Sequence, residues 1–513
     1  MAPGARALRC LAGAARSTRF GALREESLHF SDFHPENVYN FRVQSGELEL
    51  QLSRTNLWWR SPDGWEADDE DLRRTVRGEL SYEPEPLLDI APDGLYVLLG
   101  PRRVGKSVEV KRAISRLIRS GVNARSIIHA AADGWRDADL GLLEDIGRRT
   151  GGRHRDEPRY WFIDEITSVQ GSWPKRIKWL RDNTALGRDC VVLSGSSARD
   201  LEEATKELAD RRGTAVNSDR VLLPMSFRSF STAVGLDNLP RPGPIEPRDL
   251  MDDSAEAAVE ELRPWLPDLV SAWELYLRIG GFPRAVDDYL RGGDPSESFI
   301  NGLWSVCYGD AIKQNELSRV QAQTLLARLA EGLTNPVNES SIARDLDIDS
   351  KTVKARIEAL QLSFITWPCY EMKQGSPYLR AQNKVYFLDP LLARLAHLRS
   401  PDATPPPRQP MLSEQQLGLA LHRHYEVVHR GSFPRFDQLM FERPTRKEID
   451  FIAPWMHRVP IEGKYTSGAW RKEAETMKAA YQAGVMATRS TIDFDHQIRA
   501  MPAPILALLL DNS

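Results

Sequence analysis

The sequence predicts an α/β chain built around a parallel sheet with helices on both faces. Three observations carry this. Residues 95–120 read as an apolar strand, a glycine-bounded turn and a helix. Residues 160–166, YWFIDEI, read as a second buried strand that ends in two acids. Between residues 91 and 235 such strands alternate with helical segments, and that alternation is the mark of a parallel sheet.

The turn is Gly100-Pro101-Arg102-Arg103-Val104-Gly105-Lys106-Ser107. It fits G-x-x-x-x-G-K-[ST], the loop that cradles phosphates. Gly100 and Gly105 let the backbone curl so that successive N–H groups point inward. Lys106 reaches the β and γ phosphates, and Ser107 places a hydroxyl on a magnesium ion. Val108 opens the following helix, whose positive end faces the nucleotide. Residues 96–99 are apolar, and Val108, Ala113, Ile114, Leu117 and Ile118 recur at roughly helical spacing.

Further along, residues 126–130 read as a strand, 173–183 as a helix and 189–194 as a third buried strand. Asp164 is placed to hold magnesium, and Glu165 to orient the attacking water. Ser196 follows the 189–194 strand, at the strand edge where ligands bind. It is expected to sense the γ-phosphate, with a plain Gly/Ser turn as the alternative. Arg211 and Arg212 read either as a charge-stabilising finger, in cis or from a second copy in a homo-oligomer, or as an exposed basic loop. There is no Asn-Lys-x-Asp base reader, so ATP is the expected nucleotide.

The chain has 513 residues, a formal charge of -4 and 41% hydrophobic content. That is enough apolar material for about three packed domains, with no global attraction to nucleic acid or membrane. Cys10, Cys190, Cys307 and Cys369 are far apart and form no metal-ligand spacing. This suits a reducing cytoplasm. No apolar run approaches membrane-spanning length. Residues 1–24 are rich in Ala and Arg and lack acids, which reads as an organellar transit peptide or, with more weight, a bland leader. Residues 46–52, GELELQL, alternate and read as a strand. Residues 236–268 are rich in Pro, Asp and Glu and read as an exposed insertion. Residues 273–320 read as helical.

GPRRVGKS, YWFIDEI, VVLSGSSARDL, LADRRG and VLLPMSFRSF occur in that order. Together with Gly280-Gly281-Phe282-Pro283-Arg284 they resemble the prokaryotic AAA+-type P-loop ATPases with a C-terminal restriction-endonuclease-like, PD-(D/E)xK, domain. The resemblance runs from about residue 90 onward. It implies a P-loop NTPase sheet, a helical lid, a winged-helix module and a C-terminal α/β nuclease-like domain. The expected boundaries are 1–90 for an N-terminal extension and 91–235 for the ATPase core. Linker and lid take 236–335, a winged-helix-like module 336–398, a Pro-rich linker 399–411 and the nuclease-like domain 412–513.

Residues 340–360 read as helix–turn–helix. Ile342, Ala343 and Leu346 form one stripe and Val353, Ile357 and Leu360 the other, with Asp349 or Ser350 as cap. Lys351, Lys354 and Arg356 are expected on the exposed face. Docking on DNA and packing on protein both remain open, because three acids (Asp345, Asp347, Asp349) crowd the first helix and turn. In the last domain strand alternation puts Glu462 and Lys464 on one face, with Asp450 one strand earlier. This is the D…E-x-K arrangement, in which Asp450 and Glu462 hold a metal and Lys464 steadies the phosphate. The alternative is a hairpin with surface charges. Glu414 begins a helix where related nucleases place another acid. Gly463 departs from the family's β-branched residue and is expected to loosen the strand.

The expected function is Mg-dependent ATP hydrolysis with a nuclease-like domain acting on, or regulated by, nucleic acid. A nucleotide-switched regulatory protein with an inactive nuclease fold is the alternative. A small-molecule kinase ranks third, because of the appended modules.

Overall fold

The computed structural model describes residues 45–150, 157–199, 201–312, 317–428, 438–444, 447–466, 468 and 470–511. Val43–Ser513 is one compact unit. The leader at residues 1–24, with Cys10, lies outside the described residues.

The N-terminal segment carries helices α1 (Ser45–Thr55) and α2 (Glu70–Val76). The strand expected over 46–52 is a helix instead. Glu, Leu and Gln are strong helix formers, and Leu48 and Leu52, four apart, are buried together while Leu50 is exposed.

The sheet follows. Its elements are β1 (Leu95–Leu99), α3 (Lys106–Arg119), β2 (Ile127–Ala131), α4 (Leu142–Thr150), β3 (Tyr160–Asp164), α5 (Trp173–Asn183), β4 (Cys190–Gly195), α6 (Leu201–Leu208) and β5 (Asp219–Val221). Among the described residues five strands pair in the order β2-β3-β4-β1-β5, and every pairing is parallel. β1, β3 and β4 are buried along their whole length, as a sheet covered on both faces requires. Their carboxyl ends bring residues 100, 164 and 195 to one edge.

β2 is an edge strand, and the N-terminal segment closes it. Asn56 exchanges two hydrogen bonds with the His129 backbone, donating at 2.9 Å and accepting at 2.7 Å. Trp58 and Trp59 both donate their indole N–H to the Ile127 carbonyl. A side chain thus imitates a neighbouring strand and blunts the edge.

A helical layer comes next: α7 (Phe227–Ala233), α8 (Asp253–Leu262), α9 (Leu266–Ile279), α10 (Pro283–Leu290), α11 (Glu297–Val306) and α12 (Arg319–Glu331). The insertion expected to be exposed therefore contains a packed helix. Ala255, Val259 and Leu262 of α8 are buried at helical spacing. Two further helices, α13 (Glu339–Leu346) and α14 (Ser350–Leu362), pack against one another. Asp347 takes a left-handed turn between them, and Asp349 caps α14 by accepting from the Thr352 N–H at 2.9 Å. Lys351 and Lys354 are exposed, but Arg356 is buried, so the expected basic face is smaller by one charge.

The second sheet contains β6 (Thr366–Lys373), β7 (Ser376–Pro377) and β8 (Lys384–Phe387). After α15 (Pro390–Arg399) and α16 (Gln409–Val428) come β9 (Met440–Glu442), β10 (Ile449–Ile452), β11 (Ile461–Lys464), α17 (Trp470–Tyr481), β12 (Gly484–Thr488), β13 (Ile498–Pro502) and α18 (Ala503–Leu510). Its order is β13-β12-β11-β10-β9-β6-β7, with β8 also on β6. β6 pairs in parallel with β9, so the strand leaving α14 is hydrogen-bonded to the last part of the chain. α18 is buried throughout, and its final carbonyls, which no helix can satisfy itself, are claimed by three other elements. Arg228 donates to Leu508 O at 2.7 Å, the Ile245 N–H to Leu509 O at 2.9 Å, and His424 Nδ1 lies 3.1 Å from Leu510 O.

Candidate nucleotide site and carboxylate cluster

The loop between β1 and α3 is held by its glycines. Gly100 has φ +148°, and a Cβ there would stand 2.1 Å from the Leu222 carbonyl oxygen. Gly105, at φ +105°, caps α3 in the left-handed region. Lys106 is buried, and its ammonium donates to Gly100 O at 2.9 Å and Pro101 O at 3.0 Å. The loop thus wraps its own lysine. Ser107 Oγ donates to Asp164 Oδ2 at 2.8 Å, and Ser194 Oγ donates to Asp164 Oδ1. Burial pushes the Asp164 carboxyl up. His129, the two serine hydroxyls and Lys106 outweigh it, and the carboxyl ends below its usual range.

Glu165 sits in a left-handed backbone turn, φ 55°, directly after β3. Ser196 Oγ donates to Glu165 Oε2 at 3.1 Å, and Arg102 Nε donates to Ser196 Oγ at 3.2 Å. A cavity of about 890 Å³ opens beside this group. It is lined by Arg102, Arg103, Val104, Gly105, Lys106, Ser107, Val108 and Glu165 from the sheet edge. Leu80, Tyr82 and Pro84 close it from the N-terminal segment, and Pro283, Arg284 and Phe299 from the helical layer.

Arg211 and Arg212 do not line it. Arg211 pairs with Asp182 at 3.0 Å, and Arg212, largely buried, with Asp219 at 2.7 Å. A finger supplied by these residues within one chain is therefore not what the fold builds. Arg74 lines the cavity from the N-terminal segment, while Arg284 reaches it from the helical layer and pairs with Asp288 at 2.9 Å. The sequence signal for it was Pro283, which starts α10 and sets Arg284 in the first helical turn.

The turn before Arg284 is tied on both sides. Gly280 has φ +82°, and the Gly281 N–H donates to Asp389 Oδ2 at 2.7 Å. The Met225 N–H donates to Gly281 O at 2.7 Å. Burial pushes the Asp389 carboxyl up to about 7, against the lowering pull of the Gly281 and Leu391 N–H groups. An unfolded aspartate releases its proton near pH 4, so from there to about pH 7 the folded chain holds the extra proton. This group's contribution to stability accordingly falls as pH rises through that window. In Asp389→Asn the loss of thermal stability between pH 5 and pH 8 is expected to be smaller than in wild type, and an unchanged difference would refute the assignment.

The second constellation lies on the other sheet. Asp450 of β10, Glu462 and Lys464 of β11 and Glu414 of α16 line a cavity of about 310 Å³. The three residues that strand spacing singled out thus lie at one cavity. Lys464 Nζ is 3.1 Å from Glu462 Oε1, the Asp450 N–H donates to Glu462 Oε2 at 3.1 Å, and the Gly463 N–H donates to Asp450 Oδ2 at 2.9 Å. Gly463 does not loosen the strand. It pairs with Ala487 of β12, and a Cβ there would lie 3.3 Å from Glu414, so the small residue lets α16 approach.

The residue that the sequence reading missed is Lys384 of β8. It is fully buried, with its ammonium 2.9 Å from Asp450 Oδ1, 3.1 Å from Glu414 Oε1 and 2.7 Å from Glu448 Oε1. Tyr386 donates to Glu414 Oε1 at 2.5 Å. Burial disfavours its charge, but Asp450 and Glu414 hold Lys384 protonated far above its ordinary range. Burial and the Asp450 charge push Glu414 and Glu462 each up to about 8. Among the described residues no group of three or more His, Cys, Asp or Glu side chains is arranged to hold a metal ion. A metal expected on Asp450 and Glu462 would share the Asp450 carboxylate with the Lys384 ammonium, while Glu462 pairs with Lys464.

Residues 93–231 match the family described as an AAA domain, and residues 270–402 match a domain of unknown function. No curated protein matches the chain. Among solved structures, the Walker-type ATPase of Pyrococcus abyssi overlaps at 15% identity and a TM-score of 0.33, over 66% of this chain and 97% of that one. The Aeropyrum pernix ORC2 protein (ADPNP-ADP complexes) overlaps at 13% identity and 0.29, over 71% and 96%. Cdc6p from Pyrobaculum aerophilum does so at 12% and 0.21, over 72% and 97%. The phosphate loop, the parallel sheet and the AAA match define a P-loop ATPase domain of the AAA type. No helix among the described residues is long and apolar enough to cross a membrane.

Proposed function

We propose that this chain is a Mg²⁺-dependent ATPase joined to a winged-helix and restriction-endonuclease-like second half that acts on, or is regulated by, nucleic acid. The observation that carries the ATPase reading is the convergence of Lys106, Ser107, Asp164 and Glu165 at one sheet edge. Lys106 holds the β and γ phosphates, with the N–H groups of the 100–105 loop around them. Ser107 and Asp164 offer two hard oxygens 2.8 Å apart, which fit a magnesium ion. Bound there, the ion would neutralise charge on the phosphates. Glu165 accepts the proton of the attacking water, and Ser196 fixes its carboxylate from the next strand. Arg284 approaches the phosphates from the helical layer.

ATP hydrolysis is tested with Mg²⁺, with EDTA and in Glu165→Gln. The expected results are turnover only with Mg²⁺, and a variant that binds ATP but turns it over roughly 10²- to 10⁴-fold more slowly. Equal turnover in Glu165→Gln would remove it as the base.

The helix pair α13 and α14 followed by the β6–β7 hairpin supports the winged-helix reading, with Lys351 and Lys354 exposed for phosphate contact. Lys384 favours the second reading for the last domain, a nuclease-like fold without nuclease activity in a nucleotide-switched regulatory protein.

A further inference from the structure

We propose that the Lys384 ammonium is the resident cation of the carboxylate cluster, and that it excludes a divalent metal from Asp450, Glu414 and Glu448. The inference stands on the geometry of this cluster and is independent of the ATPase reading.

An ammonium has three donors and no acceptor. Lys384 has three carboxylate partners, from α16, from the residue before β10 and from β10 itself. Each donor thus has one oxygen. The remaining sides of the group are apolar or aromatic: Nζ lies 5.4 Å from the Phe441 ring centroid and 6.0 Å from that of Tyr386. The side chain is fully buried. A magnesium or manganese ion demands six ligands and keeps several waters among them. At the position of Nζ the three carboxylates are already held by an ammonium, and the cavity of about 310 Å³ lies on their other side, where Glu462 and Lys464 also face it.

Other oxygens of Asp450 and Glu462 are also engaged. Asp450 Oδ2 accepts from the Gly463 N–H, and Glu462 accepts from the Asp450 N–H with one oxygen and pairs with Lys464 through the other. A metal placed at Nζ would have to expel a buried ammonium. The lysine arrives by register. β8 pairs antiparallel with β6, Cys369 opposite Lys384, and the first residue of β8 is thereby delivered to Glu414 in the N-terminal part of α16. The ammonium therefore bonds β8 to α16 and β10 beside the carboxylate of Asp450.

The probe is Mn²⁺, followed by the paramagnetic signal of the free ion, with the full chain and no nucleotide. Wild type is expected to show no uptake that Glu462→Gln or Asp450→Asn alters. Lys384→Met keeps most of the buried stem and removes the charge. It is expected to take up one equivalent, and to lose it again when Asp450→Asn is added. Uptake by wild type that Asp450→Asn abolishes would overturn the proposal. So would a folded Lys384→Met protein that takes up none. If Lys384→Met does not fold, the wild-type comparison decides alone, because the proposal forbids cluster-dependent uptake there.

Discussion

Replacing Lys106 with alanine is expected to slow ATP turnover by at least 10²- to 10³-fold, the order seen when one preorganised donor to a developing charge is removed. The lysine is buried and its neighbours are loop carbonyls, Gly100 O at 2.9 Å and Pro101 O at 3.0 Å. Its loss removes the cation that faces the phosphates and also the group around which the loop closes. Affinity and turnover are therefore both expected to fall. The fold should persist, since β1 and α3 are fixed by sheet pairing and by the left-handed turn at Gly105. Phosphate release and nucleotide titration, with circular dichroism as the folding control, check this. Wild-type turnover in Lys106→Ala would end the nucleotide assignment.

Lys384→Ala is expected to cost about 3–5 kcal/mol of stability, the cost of stripping one partner from a buried ion cluster. Asp450 would remain buried without its countercharge. Lys464→Ala is the matched control. That side chain is 35% exposed and pairs with Glu462 at 3.1 Å, so it is expected to cost about 1 kcal/mol or less. Urea unfolding at neutral pH measures both. The Lys384→Ala loss should shrink as the pH falls and the stranded carboxyls take up protons. Equal losses in the two variants would show that Lys384 does not hold the cluster together.

The first sheet was legible because its signals are local. The strands are continuous apolar runs, and the phosphate loop has fixed spacing within eight residues. The second helix of the 340–360 pair followed from its apolar stripe and the Asp349 cap. Residues 46–52 misled because G-E-L-E-L-Q-L satisfies a period of two on paper while Leu48 and Leu52 satisfy a helical stripe against β2. Asp450, Glu462 and Lys464 were found because strand alternation and one hairpin suffice to bring them together. Lys384 was not, because its partners lie 30 and 66 residues away and its own neighbours, KVYF, read only as a strand. Arg211 and Arg212 looked available because Asp182 and Asp219 have no sequence signal that marks them as partners.

The pairing of β6 with β9 bears on how this chain can be inherited. Residues 400–408 look like a seam at which a gene could gain or lose its last part. Cutting there would strip β6 of its neighbour, leave Lys384 buried against nothing and free the carbonyl that Arg228 holds in α18. Each half would then present an open sheet edge and stranded polar groups, both of which favour aggregation. Residues 45–511 are thus tied across the 400–408 seam by strand pairing, a buried ion cluster and a capped helix.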